Sequence, residues 1–354
     1  MATMALELVD PEELTLSARQ IPFPSGVIQR WFTTATRRDH RYLIRRSTRS
    51  LRRAIPFRPW NTPAVPMDRG EMTELSGRML PLSAIIWLLE EESQLLDAAR
   101  ANGDDDAVAQ LFDGDLLTLT RGALQRIMLA MGELIWSGKV TVGTQSAPEN
   151  RLQLGSIDFG LPPQNFTTAP ILWNANNPDI FGQLDLLNTT YKNTTGQEVS
   201  PGTYIMSTRI RNVLLKDPDL RNLLGSLLGA PPSIGTNQLR QLFEDRELPN
   251  IIVDDTMVPD HTGVMRRQIP DDRLIILPPP PGEEGGMAVG VNQWGTTEEA
   301  KKLVRAQALG EDLAPGLVAV AMESENPVHT GTMVAGVAMP GLTEPDLVMS
   351  VKVL

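Results

Sequence analysis

The residues with the clearest capacity for chemistry are arginines concentrated near the N-terminus. Ten arginines, one acid (Asp39) and no lysine lie between positions 30 and 58, so this segment carries a net charge of +9. The whole 354-residue chain carries −11 at pH 7, which leaves −20 on the remaining residues. Because the planar guanidinium fork pairs in bidentate fashion with carboxylates and phosphates, the segment is suited to binding acidic groups.

Three interpretations of the arginine segment are open. It can bind nucleic-acid phosphates, remain a solvated surface, or dock on acidic faces of neighbouring subunits. The third uses the acidic remainder of the chain, which is densest between residues 90 and 106. The predicted inter-subunit contact residues are Arg37, Arg38, Arg41, Arg45, Arg46, Arg49, Arg52, Arg53, Glu90, Glu91, Glu92, Asp97, Asp104, Asp105 and Asp106.

Other patterns that carry catalysis or metal binding are missing from the sequence. The chain has no cysteine, which excludes disulfides, thiolate metal sites and cysteine nucleophiles. Its three histidines are dispersed, and no glycine-rich phosphate loop or GxSxG element occurs. The acidic pairs Asp254-Asp255 and Asp271-Asp272 are more typical of solvated strand ends than of a cation site. We therefore expect no enzyme activity, no cofactor and no metal.

Composition indicates a soluble globular protein. A hydrophobic content of 41% is ordinary, and the length suffices for two or three domains or sub-domains. The N-terminal residues are acidic where a signal peptide is basic, and the longest apolar run, near Ile85 to Leu89, is too short to span a bilayer. A pI near 4.9 argues against a dedicated nucleic-acid binder. We expect a soluble, unexported protein with no membrane contact.

The first part of the chain is predicted to contain an arm, a hairpin and two helices. Prolines disfavour long helices in residues 1–36 and indicate an extended arm lying on another surface. Apolar residues sit among the arginines from residue 37 onward, which favours an extended hairpin that projects from the body. One helix is predicted from Ser83 to about Ala101 and another from Asp104 to about Trp136, with Gly114 as a possible interruption.

The later part of the chain alternates strand and helix patterns, which predicts a second compact unit and an α+β fold. The predicted elements are a β-hairpin at 139–160, a helix from 179, a strand at 203–207, a helix at 209–224 broken near Pro218, two strands at 247–258 and 271–279 joined by a loop with Gly263, and closing strands at 316–322 and 346–354.

Three stretches together resemble a known family. They are the run PNIIVDDTMVPDHTGVMRRQIPDDRLIILPP, the C-terminal AMPGLTEPDLVMSVKVL, and a long helix that ends in MGELIWSGKVTV before a link with Trp173 and Pro178. Their order and spacing over residues 104–354 are similar to those of the major capsid proteins of tailed phages, typified by the lambda capsid protein. That resemblance implies the Hong Kong 97-type capsid fold.

The resemblance also implies a domain organisation. It assigns an N-terminal arm, an extended E-loop hairpin, a P-domain with a long spine helix and β-hairpin, an A-domain at the capsomer centre, and C-terminal strands that return to the body. The corresponding ranges are 1–36, 37–80, 81–177, 178–315 and 316–354.

The function implied by the resemblance is structural. Subunits of this family form hexamers and pentamers that close into an icosahedral shell around double-stranded DNA. The shell forms in the host cytoplasm and becomes the virion capsid. An encapsulin-like cargo shell with the same fold is the alternative, and an unrelated soluble enzyme is a more distant one.

Further partners follow from the same resemblance. Fewer than forty residues precede the expected E-loop, so we expect a separate scaffolding protein, together with a portal and a decoration or minor capsid protein. The packaged DNA is expected to be bound without sequence specificity. Some relatives cross-link an E-loop lysine to an asparagine, whereas this sequence has no lysine before Lys139. We therefore expect a non-covalent shell.

Overall fold

The described fold combines α-helices with two main β-sheets and three two-stranded hairpins. A computed structural model describes residues 2–4, 10–47, 72–88, 90–92, 105–142, 155–176, 178–225, 235–260, 262–325 and 328–354, and single positions at 57, 60, 63, 94 and 98. None of the helices in these ranges is both long and apolar enough to cross a membrane. The helices are α1 (Pro11–Gln20), α2 (Asp105–Ser137), α3 (Ile180–Thr194), α4 (Thr208–Lys216), α5 (Pro218–Gly225), α6 (Thr236–Asp245) and α7 (Glu298–Arg305).

The longest described strand, β16 (Val328–Leu342), organises a six-stranded sheet because it pairs with three other strands. Those partners come from widely separated parts of the sequence, so the sheet forms only when distant segments meet. The other strands are β1 (Ala2–Met4), β2 (Phe32–Thr36), β5 (Leu80–Trp87), β14 (Gly290–Gly295) and β15 (Val318–Glu325). Their order is β1-β15-β16-β14-β2, and β5 also pairs with β16.

A second, five-stranded sheet forms the centre of another core. Its middle strand has four consecutive residues, Leu274 to Leu277, with no exposed surface, which is typical of a sheet covered on both faces. Side chains of α3, α4, α5 and α6 belong to the same hydrophobic cluster. The strands are β8 (Phe166–Thr168), β9 (Thr203–Met206), β10 (Asn250–Val253), β13 (Arg273–Leu277) and β17 (Met349–Lys352), in the order β10-β9-β13-β17-β8.

Three antiparallel hairpins stand apart from the two main sheets. They pair β3 (Arg41–Ser47) with β4 (Met72–Arg78), β6 (Lys139–Val142) with β7 (Gly155–Asp158), and β11 (Met257–Pro259) with β12 (Met265–Arg267). The first lies where the sequence predicts a hairpin among arginines. The second confirms the hairpin predicted at 139–160.

The two sheets do not follow the predicted linear division at residues 178 and 315. The five-stranded sheet takes β8 from before residue 178 and β17 from after residue 315. The six-stranded sheet takes β14 from between those positions. Each sheet is therefore built from segments that are far apart in the sequence. No single boundary along the chain can separate the two sheets.

Helix α2 connects the two sheets. It contains 33 residues, about 50 Å at 1.5 Å per residue, and it contacts β16 and β5 of one sheet and β13 and β17 of the other. From Ile127 to Ile135 every residue except Glu133 is buried, so this part of the helix is covered on nearly all sides. The predicted helix from Asp104 to Trp136 is confirmed from Asp105 onward, and Gly114 does not interrupt it.

The helix predicted from Ser83 to Ala101 is wrong over its first residues. Residues 80–87 form β5, which runs antiparallel to β16 from Gly331 to Ala338. Exposure alternates from Leu80 to Ser83, as in a strand with one covered face. Pairing with β16 therefore decides the conformation of residues 80–87, and the first described helical residue after this strand is Glu90.

The extended conformation predicted for residues 1–36 is wrong over residues 11–20 and 28–31, which are helical, whereas residues 32–36 form strand β2. Residues 11–20 form α1, whose Thr15 hydroxyl accepts a hydrogen bond from Ala319 N (3.1 Å) and donates one to Ala319 O (3.3 Å). Trp31 is fully buried and donates its indole N–H to Pro278 O at 2.8 Å. Pro11 occupies the first helical position, where proline is favoured, so it begins the helix that its presence argued against.

Most of the later predicted elements are confirmed. The helix from residue 179, the strand at 203–207 and the helix broken near Pro218 correspond to α3, β9 and the pair α4 and α5. Strands β10 and β13 lie within the predicted ranges, but β9 lies between them in the sheet. Their connection contains the β11–β12 hairpin, which the sequence pattern indicated only as part of a strand and a loop.

The close packing of α2 predicts opposite effects of alanine at two glycines of this helix. A Cβ on Gly132 would overlap the main-chain oxygen of Gln268, whereas the space around Gly122 is open. We expect Gly132→Ala to lower the free energy of unfolding of the free subunit by about 1–3 kcal/mol through overpacking. Gly122→Ala should raise it by up to about 1 kcal/mol through helix propensity.

Urea unfolding followed by circular dichroism measures both free energies. A Gly132→Ala subunit as stable as the Gly122→Ala subunit would show that Gln268 moves without cost.

Candidate inter-subunit surfaces

The β3–β4 hairpin holds the described part of the arginine segment, and its two faces differ. Tyr42 and Ile44 are buried, while Arg41 and Arg45 are exposed on the other face. Alternation along a strand produces this separation. Gln293 fixes the base of the hairpin, because its side chain accepts a hydrogen bond from Leu43 N (3.1 Å) and donates one to Leu43 O (2.8 Å). The hairpin is thereby attached to the body with an arginine-bearing face outward.

The partners of the exposed arginines lie within the same subunit and are weak. Arg45 stands opposite Glu74 in the strand register, and Arg45 Nε lies 3.7 Å from Glu74 Oε2. Arg38 Nη1 lies 3.9 Å from Glu311 Oε2, with both side chains more than three-quarters exposed. Exposed pairs of this kind contribute about 0–1 kcal/mol each. The sequence prediction missed Glu74 and Glu311, although hairpin pairing would have identified Glu74.

Arg46, one of the predicted inter-subunit contact residues, faces the body of its own subunit. It shares the inward face with Ile44, and its guanidinium carbon lies 6.0 Å from the centre of the Phe159 ring. Burial lowers the pKa of Arg46, while Asp158 and Asp346 act in the opposite direction. Its Nε and Nη2 atoms are buried without a hydrogen-bond partner in the described part of the chain. Arg46 therefore lies against its own subunit.

Of the remaining predicted contact arginines, only the backbone of Arg37 has a described role. Arg37 is partly exposed, and its main-chain N–H donates to Trp294 O at 2.7 Å. Its backbone thus anchors the segment that leads into β3. Arg49, Arg52 and Arg53 lie outside the described residues.

The predicted acidic contacts lie near the N-terminal half of α2. Glu90 and Glu91 are exposed, and Glu92 is partly exposed. Burial raises the pKa of Asp115 on α2, and the negative charge of Glu92 raises it further, so these two carboxyls lie near one another. Asp105 and Asp106 begin α2, and Asp97 and Asp104 lie outside the described residues. This region is acidic enough for two of its carboxyls to repel each other.

The other acidic pairs considered from the sequence have structural partners. Burial acts to raise the pKa of Asp255, but hydrogen bonds from Thr208 and from Arg267 Nη1 at 2.7 Å lower it overall. Arg209 Nη1 lies 3.4 Å from Asp271 Oδ2, and Lys352 Nζ lies 3.4 Å from Asp272 Oδ2. Among the described residues, no cluster of three or more potential ligands is positioned to hold a metal ion.

The environment of Arg46 predicts different outcomes for two substitutions. Methionine keeps the apolar stem against Phe159 and removes a charge that burial disfavours. We expect Arg46→Met to leave the free energy of unfolding of the free subunit unchanged or raise it by up to about 1 kcal/mol. Arg46→Ala also removes the packed stem and should lower it by about 1–2 kcal/mol.

Urea unfolding of free subunits measures these changes, with Arg45→Met as the exposed control, expected within about 0.5 kcal/mol of the parent. An Arg46→Met subunit destabilised as much as Arg46→Ala would mean that the guanidinium charge holds the hairpin.

Comparisons with known proteins agree with this architecture. No curated protein sequence matches the chain. A candidate capsid protein of a prophage in E. coli CFT073 superposes with a TM-score of 0.62 at 13% identity, covering 100% of both chains. A phage-related protein from Bordetella bronchiseptica superposes with a TM-score of 0.55 at 12% identity, covering 96% of this chain and 95% of the other. The predicted Hong Kong 97-type fold is confirmed.

The sequence itself matches one family over nearly its whole length. The model of the family described as phage major capsid protein E matches residues 10–353. This match favours a structural protein of the phage capsid shell, built from many copies and located in the virion, over an encapsulin-like shell or an unrelated enzyme. A structural family also implies a non-enzymatic role. The chain belongs to the phage major capsid protein E family.

Proposed function

We propose that the subunits form hexamers and pentamers of an icosahedral shell that encloses double-stranded DNA, and that the β3–β4 hairpin is the extended E-loop of each subunit. In this proposal the hairpin and residues 48–71 between its strands lie across a neighbouring subunit. The observation that carries it is the outward face of the hairpin, where Arg41 and Arg45 are exposed and the described acidic partner is the weak pair with Glu74.

Apolar burial is the expected source of affinity in this contact. Phe57 and Trp60 belong to the same segment, and their side chains are essentially fully exposed in the subunit. Covering an aromatic side chain removes roughly 150–250 Å² from water, at about 25 cal/mol per Å². That exceeds the roughly 0–1 kcal/mol of an exposed ion pair. The arginines then orient the contact, and the aromatic side chains stabilise it.

The proposed target of the arginines is the acidic region around Glu90–Glu92 and the start of α2 on a neighbour. Burial raises the pKa of Asp115, and the negative charge of Glu92 raises it further, so an incoming guanidinium would relieve this repulsion between carboxyls. Arg46 is left out of the proposed contact because it packs on Phe159 of its own subunit.

DNA remains the second candidate partner of the arginines. Phosphates suit the guanidinium fork as well as carboxylates do. The net charge of −20 outside the arginine segment opposes the approach of a polyanion to most of the molecule. The segment is therefore better suited to an acidic neighbouring subunit.

The two sheets suggest the domain roles. We assign the six-stranded sheet and α2 to the P-domain, and the five-stranded sheet with α3–α6 to the A-domain at the capsomer centre. A separate scaffolding protein, a portal and a decoration or minor capsid protein complete the proposed set of partners. Assembly is proposed to take place in the host cytoplasm.

Charge reversal tests the arginine contact. We expect Arg45→Glu, Arg52→Glu and Arg53→Glu together to block assembly, because they place acids against the acidic neighbour. The shell yield, measured by light scattering and electron microscopy without DNA, should fall at least about tenfold. Assembly of the parent protein through the arginine contact should also weaken as the salt concentration rises, because salt screens exposed charges.

The matched control reverses three cations elsewhere, Arg240→Glu, Lys302→Glu and Arg305→Glu, which are all exposed and change the net charge equally. The control should form shells. Normal shells from the hairpin variant would exclude the arginine contact, and a requirement for added DNA in the parent protein would favour phosphate binding.

The missing lysines predict a non-covalent shell. Residues 37–80 contain no lysine, so the proposed E-loop has no side-chain amine with which to attack a neighbour. Shells dissolved in hot denaturant should release one species at the subunit mass of 38.9 kDa on a denaturing gel. A ladder of covalent multimers would contradict this expectation.

A further inference from the structure

The β11–β12 hairpin has a mainly apolar outer face. Strand register pairs Met257 with Arg267 and Pro259 with Met265, so Met257, Pro259 and Met265 share one face with Arg267, whose charge is paired with Asp255. Met257 is 44% exposed, Met265 is 52% exposed, and Val264 beside it is 56% exposed. These values place three large apolar side chains in solvent on one short hairpin.

The inner face of the hairpin is packed against α2. Val258 is buried, and it clusters with Met128 and Leu129 of the helix. Just beyond β12, Gln268 donates its side-chain amide to Met128 O at 3.0 Å. Only the outer face is therefore left without a covering element among the described residues.

The turn of the hairpin is held in one conformation. Asp260 accepts hydrogen bonds from the main-chain N–H and hydroxyl of Thr262, from Val264 N at 3.1 Å and from Arg266 Nε. The hydroxyl of Thr262 and the guanidinium of Arg266 hold the pKa of Asp260 well below its usual range. A hairpin fixed in this way loses little conformational entropy when its apolar face is covered.

Charges on the hairpin are neutralised within the subunit. Arg266 pairs with Asp260, and Arg267 pairs with Asp255 at 2.7 Å. A locally neutral patch on a chain of net charge −11 is a place where two copies can approach with little repulsion. An apolar face offers nothing to phosphates, which argues against DNA as its partner.

We propose that the outer face of the β11–β12 hairpin, formed by Met257, Pro259 and Met265 and flanked at the turn by Val264, binds a second copy of this chain in the shell. Apolar side chains carried on a fixed backbone are suited to the desolvated centre of an interface. The contact rests on the assembly of the subunits into a shell, but it is separate from the arginine contact. Apolar burial makes it insensitive to screening by salt, in contrast to the arginine contact.

A serine substitution tests the energetic part of the proposal. Val264→Ser with Met265→Ser should leave the unfolding of the free subunit nearly unchanged, because both side chains are already exposed. It should raise the protein concentration needed for assembly by about tenfold or more, because the apolar burial at the contact is lost. Shells that form at the parental concentration would overturn the proposal.

Thiol labelling tests the same face without weakening it. The chain has no cysteine, so Met265→Cys introduces a single reactive thiol. In free subunits this thiol should react readily with a maleimide, and in assembled shells its reaction should slow by about tenfold or more through burial. Equal rates in free subunits and shells would show that no second copy covers the hairpin.

The two experiments distinguish a failure of the hairpin contact from a failure of shell assembly. A parent protein that forms no shell would remove the basis of the whole assignment. Parental shells with a fully reactive thiol at residue 265 would overturn the hairpin contact alone.

Discussion

The packing of α2 between the two sheets is the interaction on which the rest of the structure depends. Its buried stretch from Ile127 to Ile135 contacts strands of both sheets, so neither sheet has a complete core without the helix. A helix that is apolar around most of its circumference is unstable in water and requires both sheets to cover it. The same helix supports the β11–β12 hairpin through Met128 and places the acidic residues near Asp115 at its other end. Helix α2 thus supports both proposed contact surfaces.

The charge distribution is the second determinant of the surface. Positive charge is concentrated in one segment whose hairpin is tied to the body by Gln293, while the rest of the chain is strongly acidic. Free subunits of equal charge repel each other over most of their surface. Attraction is available only where the arginine face meets an acidic region, which gives the contact a direction as well as an affinity. A directional contact between unlike surfaces is what a head-to-tail ring of subunits requires.

Elements that are determined by their own residues are predicted well from the sequence. Elements whose conformation depends on pairing with distant residues are predicted less well. Periodicity identified α2 and the β6–β7 hairpin, because both patterns can be read within one continuous segment. The same reasoning failed for Leu80–Trp87, which becomes a strand through pairing with β16 some 250 residues later. The surroundings of Arg46 are also set by a distant partner: the alternation that turns this side chain inward follows from the hairpin, but nothing in the sequence identifies Phe159 as its neighbour. The Asp260 turn was likewise recognisable only once Val264 and Arg266 were placed around it.

The two proposed contacts differ in their physics, and the difference is useful for closing a shell. Charge pairs act at a distance of about a Debye length and orient subunits before they touch, yet exposed pairs add little final stability. Apolar faces such as the one around Met265 act only at contact, but they add stability in proportion to the area covered. Wrongly oriented encounters then gain neither attraction nor burial, and dissociate. In the proposed shell, correct encounters would be oriented by the arginines and stabilised by burial of Phe57, Trp60 and the hairpin face, which are exposed in the subunit. An acidic chain would then remain unassembled until both surfaces are in contact with a neighbour.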